Sequence, residues 1–161
     1  MDLAYSTSTV IGTTISGNTA RDSSADGGGM HIRDSPSIIR NSIIKNNQAS
    51  HGGGLYIVED ITHPTTVDVR ETTFSANSGG QGYDIYTSGA PTISIVNTLF
   101  TQPTKAIYEQ SGHATWNTCA NNVCTDTPFT GTCTAVNNAD AKYGVLCHYN
   151  NNYISKCSSL I

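Results

Sequence analysis

A four-residue motif recurs along the first hundred residues, and its spacing limits the fold more than any other feature does. Ile15-Ser16-Gly17-Asn18, Ile44-Lys45-Asn46-Asn47 and Phe74-Ser75-Ala76-Asn77 align without gaps, and Phe100-Thr101-Gln102-Pro103 is a degenerate fourth copy. The steps between copies are 29, 30 and 26 residues. With the leading apolar residue as origin, further columns fall into line. Five positions upstream stand Val10, Ile39, Val69 and Ile95, all β-branched, and two upstream stand Thr13, Ser42, Thr72 and Thr98, all hydroxylic. Three downstream stand Asn18, Asn47 and Asn77, with Pro103 breaking the series.

After each Asn comes a Gly-rich corner and another short run, as in Gly27-Gly28-Gly29-Met30-His31-Ile32, Gly52-Gly53-Gly54-Leu55-Tyr56-Ile57 and Gly79-Gly80-Gln81-Gly82-Tyr83-Asp84-Ile85. Each repeat thus holds three runs of roughly three to five residues, too short for helices and rich in β-formers. Three strands and three turns per repeat describe one coil of a parallel β-helix. The expected fold is all-β, a right-handed parallel β-helix of about four coils with a cysteine-rich C-terminal cap. Stacking like on like puts Val10, Ile39, Val69 and Ile95 in one interior column, and Ile15, Ile44, Phe74 and Phe100 in a second. In a third, Asn18, Asn47 and Asn77 bond one another across a strand spacing of about 4.8 Å. An ordinary β-sandwich does not require four columns in register, and a leucine-rich repeat requires more Leu.

The rhythm decays after Pro103. Ala106-Ile107-Tyr108 offers one further strand, and Trp116 falls near the end of the stack, where a large side chain closes a core. Residues 1–117 are read as β-helix and 118–161 as a disulfide-stapled tail carrying Cys119, Cys124, Cys133, Cys147 and Cys157. Five cysteines form at most two bridges within the tail, leaving one thiol over. Their spacing is not that of a zinc site, and His63, His113 and His148 have no partner at ligand spacing, so no metal is expected. Cysteine density points to an oxidising compartment. The first residues lack the basic start and apolar core of a signal peptide. A fragment of a longer secreted or cell-surface protein reconciles the two. No apolar run reaches the ~20 residues of a membrane span.

Charged residues make up 12% of the chain, about half of the ~25% usual in soluble domains. With a net charge of −4 and no Lys/Arg cluster, the chain lacks the footprint of a nucleic-acid binder. No Gly-x-Ser-x-Gly elbow, phosphate loop or His-Glu-x-x-His is present, so neither a catalytic residue nor a cofactor is assigned. Alternation after the glycines puts His31, Tyr56 and Asp84 outward on successive coils, beside Arg33, Val58 and Tyr86. His31, Arg33, Tyr56, Asp84 and Tyr86 therefore form the candidate ligand face, since Tyr offers an apolar ring and a hydroxyl to a sugar. A carbohydrate-active lyase or hydrolase would need clustered carboxylates on such a face, whereas the acids here, Glu59 and Asp60 included, are scattered. An ice-binding face would need an exposed array, but alternation turns the hydroxyl column inward.

The Gly-Gly-Gly-Leu/Met corners with Phe-Ser-Ala-Asn and its Ile-x-x-Asn variants resemble the repeats of chlamydial polymorphic outer-membrane proteins and related surface β-helix proteins. The resemblance covers about residues 1–103. It implies a right-handed parallel β-helix, surface display, and adhesive or scaffolding roles. The chain departs from that pattern in its Cys-rich tail and in having no β-barrel translocator. The expected function is a non-enzymatic structural or adhesive segment, partnered by further coils, like subunits or surface glycans.

Overall fold

A computed structural model describes residues 1–22, 25–60, 63–101, 106–110, 114–120, 123–124, 149–150 and 153–154. Those residues form strands and turns without a helix, wound as a parallel β-solenoid of about three turns. The first coil holds β1 (Asp2–Ala4), β2 (Ser8–Ile11) and β3 (Thr14–Ser16). The second holds β4 (Met30–Arg33), β5 (Ser37–Arg40), β6 (Ile43–Lys45) and β7 (Gln48–His51). The third holds β8 (Leu55–Val58), β9 (Thr66–Arg70), β10 (Thr73–Ser75) and β11 (Ser78–Gln81). Above them lie β12 (Ile85–Ser88), β13 (Thr92–Val96) and β14 (Leu99–Phe100), then β15 (Ile107–Glu109), β16 (Thr115–Ala120) and β17 (Val123–Cys124).

Like strands stack on like. Sheet A contains β1, β4, β8, β12 and β15, sheet B contains β2, β5, β9, β13 and β16, and sheet C contains β3, β6, β10, β14 and β17, all paired parallel. Two short strands, β18 (Tyr149–Asn150) and β19 (Tyr153–Ile154), join sheet A antiparallel through β15. The structure adds a fourth side to the coil, because β7 and β11 pair as a small sheet D. Sequence reading places only a corner there, since Gln48-Ala49-Ser50-His51 and Ser78-Gly79-Gly80-Gln81 lack apolar alternation. Parallel pairing also runs past residue 117, with Ile95 opposite Cys119 and Phe100 opposite Cys124, and a bulge at Asn117 absorbs one extra residue. Cys133, Cys147, Cys157, His113, His148 and Pro103 lie outside the described residues.

The columns explain the register. Val10, Ile39, Val69 and Ile95 are paired in succession, as are Ile15, Ile44, Phe74 and Phe100. Ile39, Val69, Ile44 and Phe74 are wholly buried, and the rings of Phe74 and Phe100 stack at 5.1 Å. A one-residue slip would turn every such side chain outward, so the hydrophobic columns fix the pairing. The hydroxyl column closes the corner between sheets B and C. Ser42, Thr72 and Thr98 are buried, and each donates to the carbonyl two residues back, at 2.7, 2.8 and 3.1 Å. Each bond spans a residue of positive φ, namely Asn41, Glu71 and Asn97, so the side chain holds a conformation that L-residues otherwise avoid.

The Asn column is a continuous amide ladder. Asn18 Nδ2 donates to Asn47 Oδ1 at 2.9 Å, and Asn47 Nδ2 donates to Asn77 Oδ1 at 3.1 Å. The backbone N–H groups of Asn18 and Asn47 donate to the same oxygens. Second amide protons reach back to the carbonyls of Ile15 and Ile44. Asn47 and Asn77 are buried, so every amide position must find a partner. The top of the ladder is Asp84, whose Oδ1 accepts from Asn77 Nδ2 at 2.8 Å.

Candidate functional site

The outer side of sheet A carries a continuous column of ring side chains. Alternation along β4, β8, β12 and β15 turns Met30, Ile32, Leu55, Ile57, Ile85 and Ile107 into the core. The opposite side chains fall into one column, because His31 pairs with Tyr56, Tyr56 with Tyr86, and Tyr86 with Tyr108. His31 meets Tyr56 edge-on at 5.0 Å, while Tyr56 and Tyr86, and then Tyr86 and Tyr108, stack at 5.1 Å. Pairs of this geometry contribute about 0.5–1.5 kcal/mol each beyond their buried area. Stacking also covers the ring faces, so Tyr86 is only 2% exposed. The ladder offers edges and hydroxyls to a ligand, not the flat face a sugar stacks on.

Two polar groups flank this column. On the sheet D side, His51 Nδ1 lies 2.8 Å from Asp26 Oδ1, and the imidazole leans on Tyr86 at 4.9 Å. Burial, then the Asp26 carboxylate, pushes the Tyr56 hydroxyl above its ordinary range. Burial, then Tyr56 and Tyr108, does the same for Tyr86. Both phenols are therefore neutral hydrogen-bond donors at ordinary pH. On the sheet B side, Arg33 Nε donates to Asp60 Oδ2 at 3.0 Å, and the guanidinium sits over the Tyr5 ring at 5.9 Å. The Asp60 carboxylate, by hydrogen bond and charge, holds Arg33 more firmly protonated.

Of the face read from sequence, His31, Arg33, Tyr56 and Tyr86 do share one surface, and Asp84 does not. Asp84 is fully buried, in the column of Gly29 and Gly54. Its Oδ2 finds no hydrogen-bond donor among the described residues, and burial pushes its pKa up to about 7 against the lowering effect of Asn77. The displacement comes from the corner glycines. Gly27, Gly52 and Gly82 are the left-handed corner residues, so Tyr83 and Asp84 replace the glycines of earlier coils. Reading Gly79-Gly80 as that corner shifts the strand and turns Asp84 outward.

Comparison with known proteins adds no assignment: no family model, no curated protein and no solved structure matches the chain. Among the described residues no group of three or more His, Cys, Asp or Glu converges as a metal site, and no helix is long and apolar enough to cross a membrane. Cys119 and Cys124 belong to β16 and β17 by their backbone. Sequence reading missed Tyr5, Asp26, His51 and His63 as site residues. The available signal was connection length. Between sheets A and B the chain uses seven residues after Val58, but three after Ala4, Arg33 and Ser88.

Proposed function

We propose that this chain is a non-enzymatic, extracellular structural segment, a stiff rod that extends by adding coils and displays an adhesive outer face. The supporting observation is the edge of the first coil. Strands β1, β2 and β3 each end their sheet, all at the same end of the solenoid. Leu3, Val10 and Ile15 there occupy core columns but remain half-exposed, and Ile11 is 58% exposed. Lys or Pro on an edge strand discourages further pairing, and none of these three strands carries either. An edge of this kind is a template for a like subunit. Surface display accords with low charge, the cysteine-dense tail and the likeness to chlamydial surface repeats.

Two of the acids that the enzymatic alternative would use are engaged elsewhere. Asp84 lies in the core, and Glu59 Oε2 accepts from the Thr65 N–H at 2.6 Å, bracing a loop. Thr9→Pro tests the stacking proposal without disturbing the coil. Ser8 and Gly12 direct their N–H groups to the second coil, at Pro36 and Arg40. The alternate N–H of Thr9 therefore points to the open edge. Sedimentation across a concentration series is expected to show self-association that Thr9→Pro abolishes. A wild-type chain that stays monomeric throughout contradicts the proposal.

A further inference from the structure

The long connection after β8 contributes His63 and Pro64 to the lining of a surface hollow at this corner. Three residues suffice to turn from sheet A to sheet B, so the added residues contribute nothing that stacking requires. Insertions on one corner of a repeat scaffold are typical places for binding. This one is anchored at its base, where Thr65 Oγ1 donates to the Val58 carbonyl at 3.0 Å. It folds back over the two earlier coils. The Asp60 N–H donates to Asp34 Oδ1 at 2.8 Å, and the His63 ring meets the Tyr5 ring edge-on at 6.0 Å. Tyr5, Ser6, Thr7, Asp34, Pro36, His63 and Pro64 line an open hollow of about 190 Å³.

We propose that this corner hollow binds a single pyranose ring of a glycan. The hollow is small beside the roughly 300–1,000 Å³ of pockets that bury drug-sized molecules, a size that suits one sugar ring. Charge disfavours an ion, because Arg33 is already satisfied by Asp60, with Asp34 at 4.0 Å. What remains is amphipathic in the way a pyranose is. Tyr5, Pro36, Pro64 and the His63 ring offer apolar surface to ring C–H groups, and the hydroxyls of Ser6 and Thr7 offer hydrogen bonds to its rim. Tyr5 is 59% exposed and held at φ +57°. That corner position is left-handed in other coils too, where Asp34 and Gly89 occupy it. A tyrosine is a costly choice there unless its ring is used.

The site does not depend on end-to-end stacking, and its test is separate. Saturation-transfer NMR on the whole chain, with methyl glycosides of glucose, galactose, mannose, fucose and N-acetylglucosamine, reads binding directly. At least one glycoside is expected to bind. Tyr5→Ala and His63→Ala should each weaken it at least tenfold, and Tyr108→Ala on the ladder should leave it unchanged. Replacing residues 59–65 by Asp-Ser-Pro, the sequence of the three-residue corner at 34–36, should abolish it while the urea midpoint shows the solenoid still folded. Failure of every glycoside to bind overturns the proposal. So does binding that survives the corner variants or is lost with Tyr108→Ala.

Discussion

Asn77→Ala removes the most connected side chain of the amide ladder. Its oxygen accepts from the Asn47 N–H at 3.0 Å and from Asn47 Nδ2 at 3.1 Å, while its own Nδ2 donates to the Ile44 carbonyl at 2.9 Å and to Asp84 Oδ1 at 2.8 Å. Asn47 Nδ2 keeps the Ile15 carbonyl after the change. Two groups do not recover a partner within the fold, the Asn47 N–H and the Asp84 carboxyl, whereas the Ile44 carbonyl keeps its place in the parallel ladder of β6 and β10. Each buried group left unpaired costs about 1–3 kcal/mol, and partial relaxation brings the expected total to about 2–5 kcal/mol. That is a large share of the roughly 5–15 kcal/mol by which domains are stable. Asn18→Ala is the internal control, because Asn18 is exposed and gives up only its bond to Asn47 Oδ1, with an expected cost of about 1 kcal/mol or less. Urea denaturation followed by far-ultraviolet circular dichroism compares the two midpoints. Equal, small losses for both variants would refute the idea that a buried amide ladder holds the coils together.

Titration of Asp84 gives the second expectation. Its native pKa of about 7 lies above the ordinary value of 3.8, so the native state binds this proton more tightly than the unfolded chain. Its contribution to stability is therefore fullest below about pH 4, falls as pH rises towards 7, and is flat beyond. Asp84→Asn should flatten that slope in urea midpoints measured from pH 4 to 8, and an unchanged slope would assign it to other groups. Glycine substitutions give the third. A Cβ on Gly53 would lie 2.4 Å from the Ser78 carbonyl oxygen and 2.6 Å from that of Tyr83, whereas one on Gly12 meets nothing within 4 Å. Gly53→Ala is expected to cost more than about 3 kcal/mol, against about 1–2 kcal/mol of left-handed strain for Gly12→Ala, read in the same urea assay.

Most of the fold was legible because its determinants repeat. Val10, Ile39, Val69 and Ile95 keep one chemical character at one spacing, and stacking turns that spacing directly into register. Sheet D was not legible, since Gly79 and Gly80 have no side chains from which alternation could be read. The site was obscured by arithmetic. The 26-residue step is the coil without a long connection, while the steps of 29 and 30 each contain one, at different corners. In the first, the left-handed corners Gly17 and Gly27 are ten residues apart, against six from Asn46 to Gly52 and from Ala76 to Gly82. In the second, the added residues are those between Val58 and Thr66. Two insertions of similar length look like a steady period when only the motif-to-motif distance is counted. Asp84 was misplaced for a related reason, as one glycine pair resembled another until backbone conformation distinguished Gly82.

The fold consists of coils stacked like on like, and interstrand NMR contacts measure that arrangement directly. Backbone Hα–HN contacts should link Val10 with Ile39, Ile39 with Val69 and Val69 with Ile95 as parallel neighbours 29, 30 and 26 residues apart. Contacts joining consecutive strands as antiparallel hairpins instead, as in a β-sandwich, would contradict the solenoid and everything inferred from it.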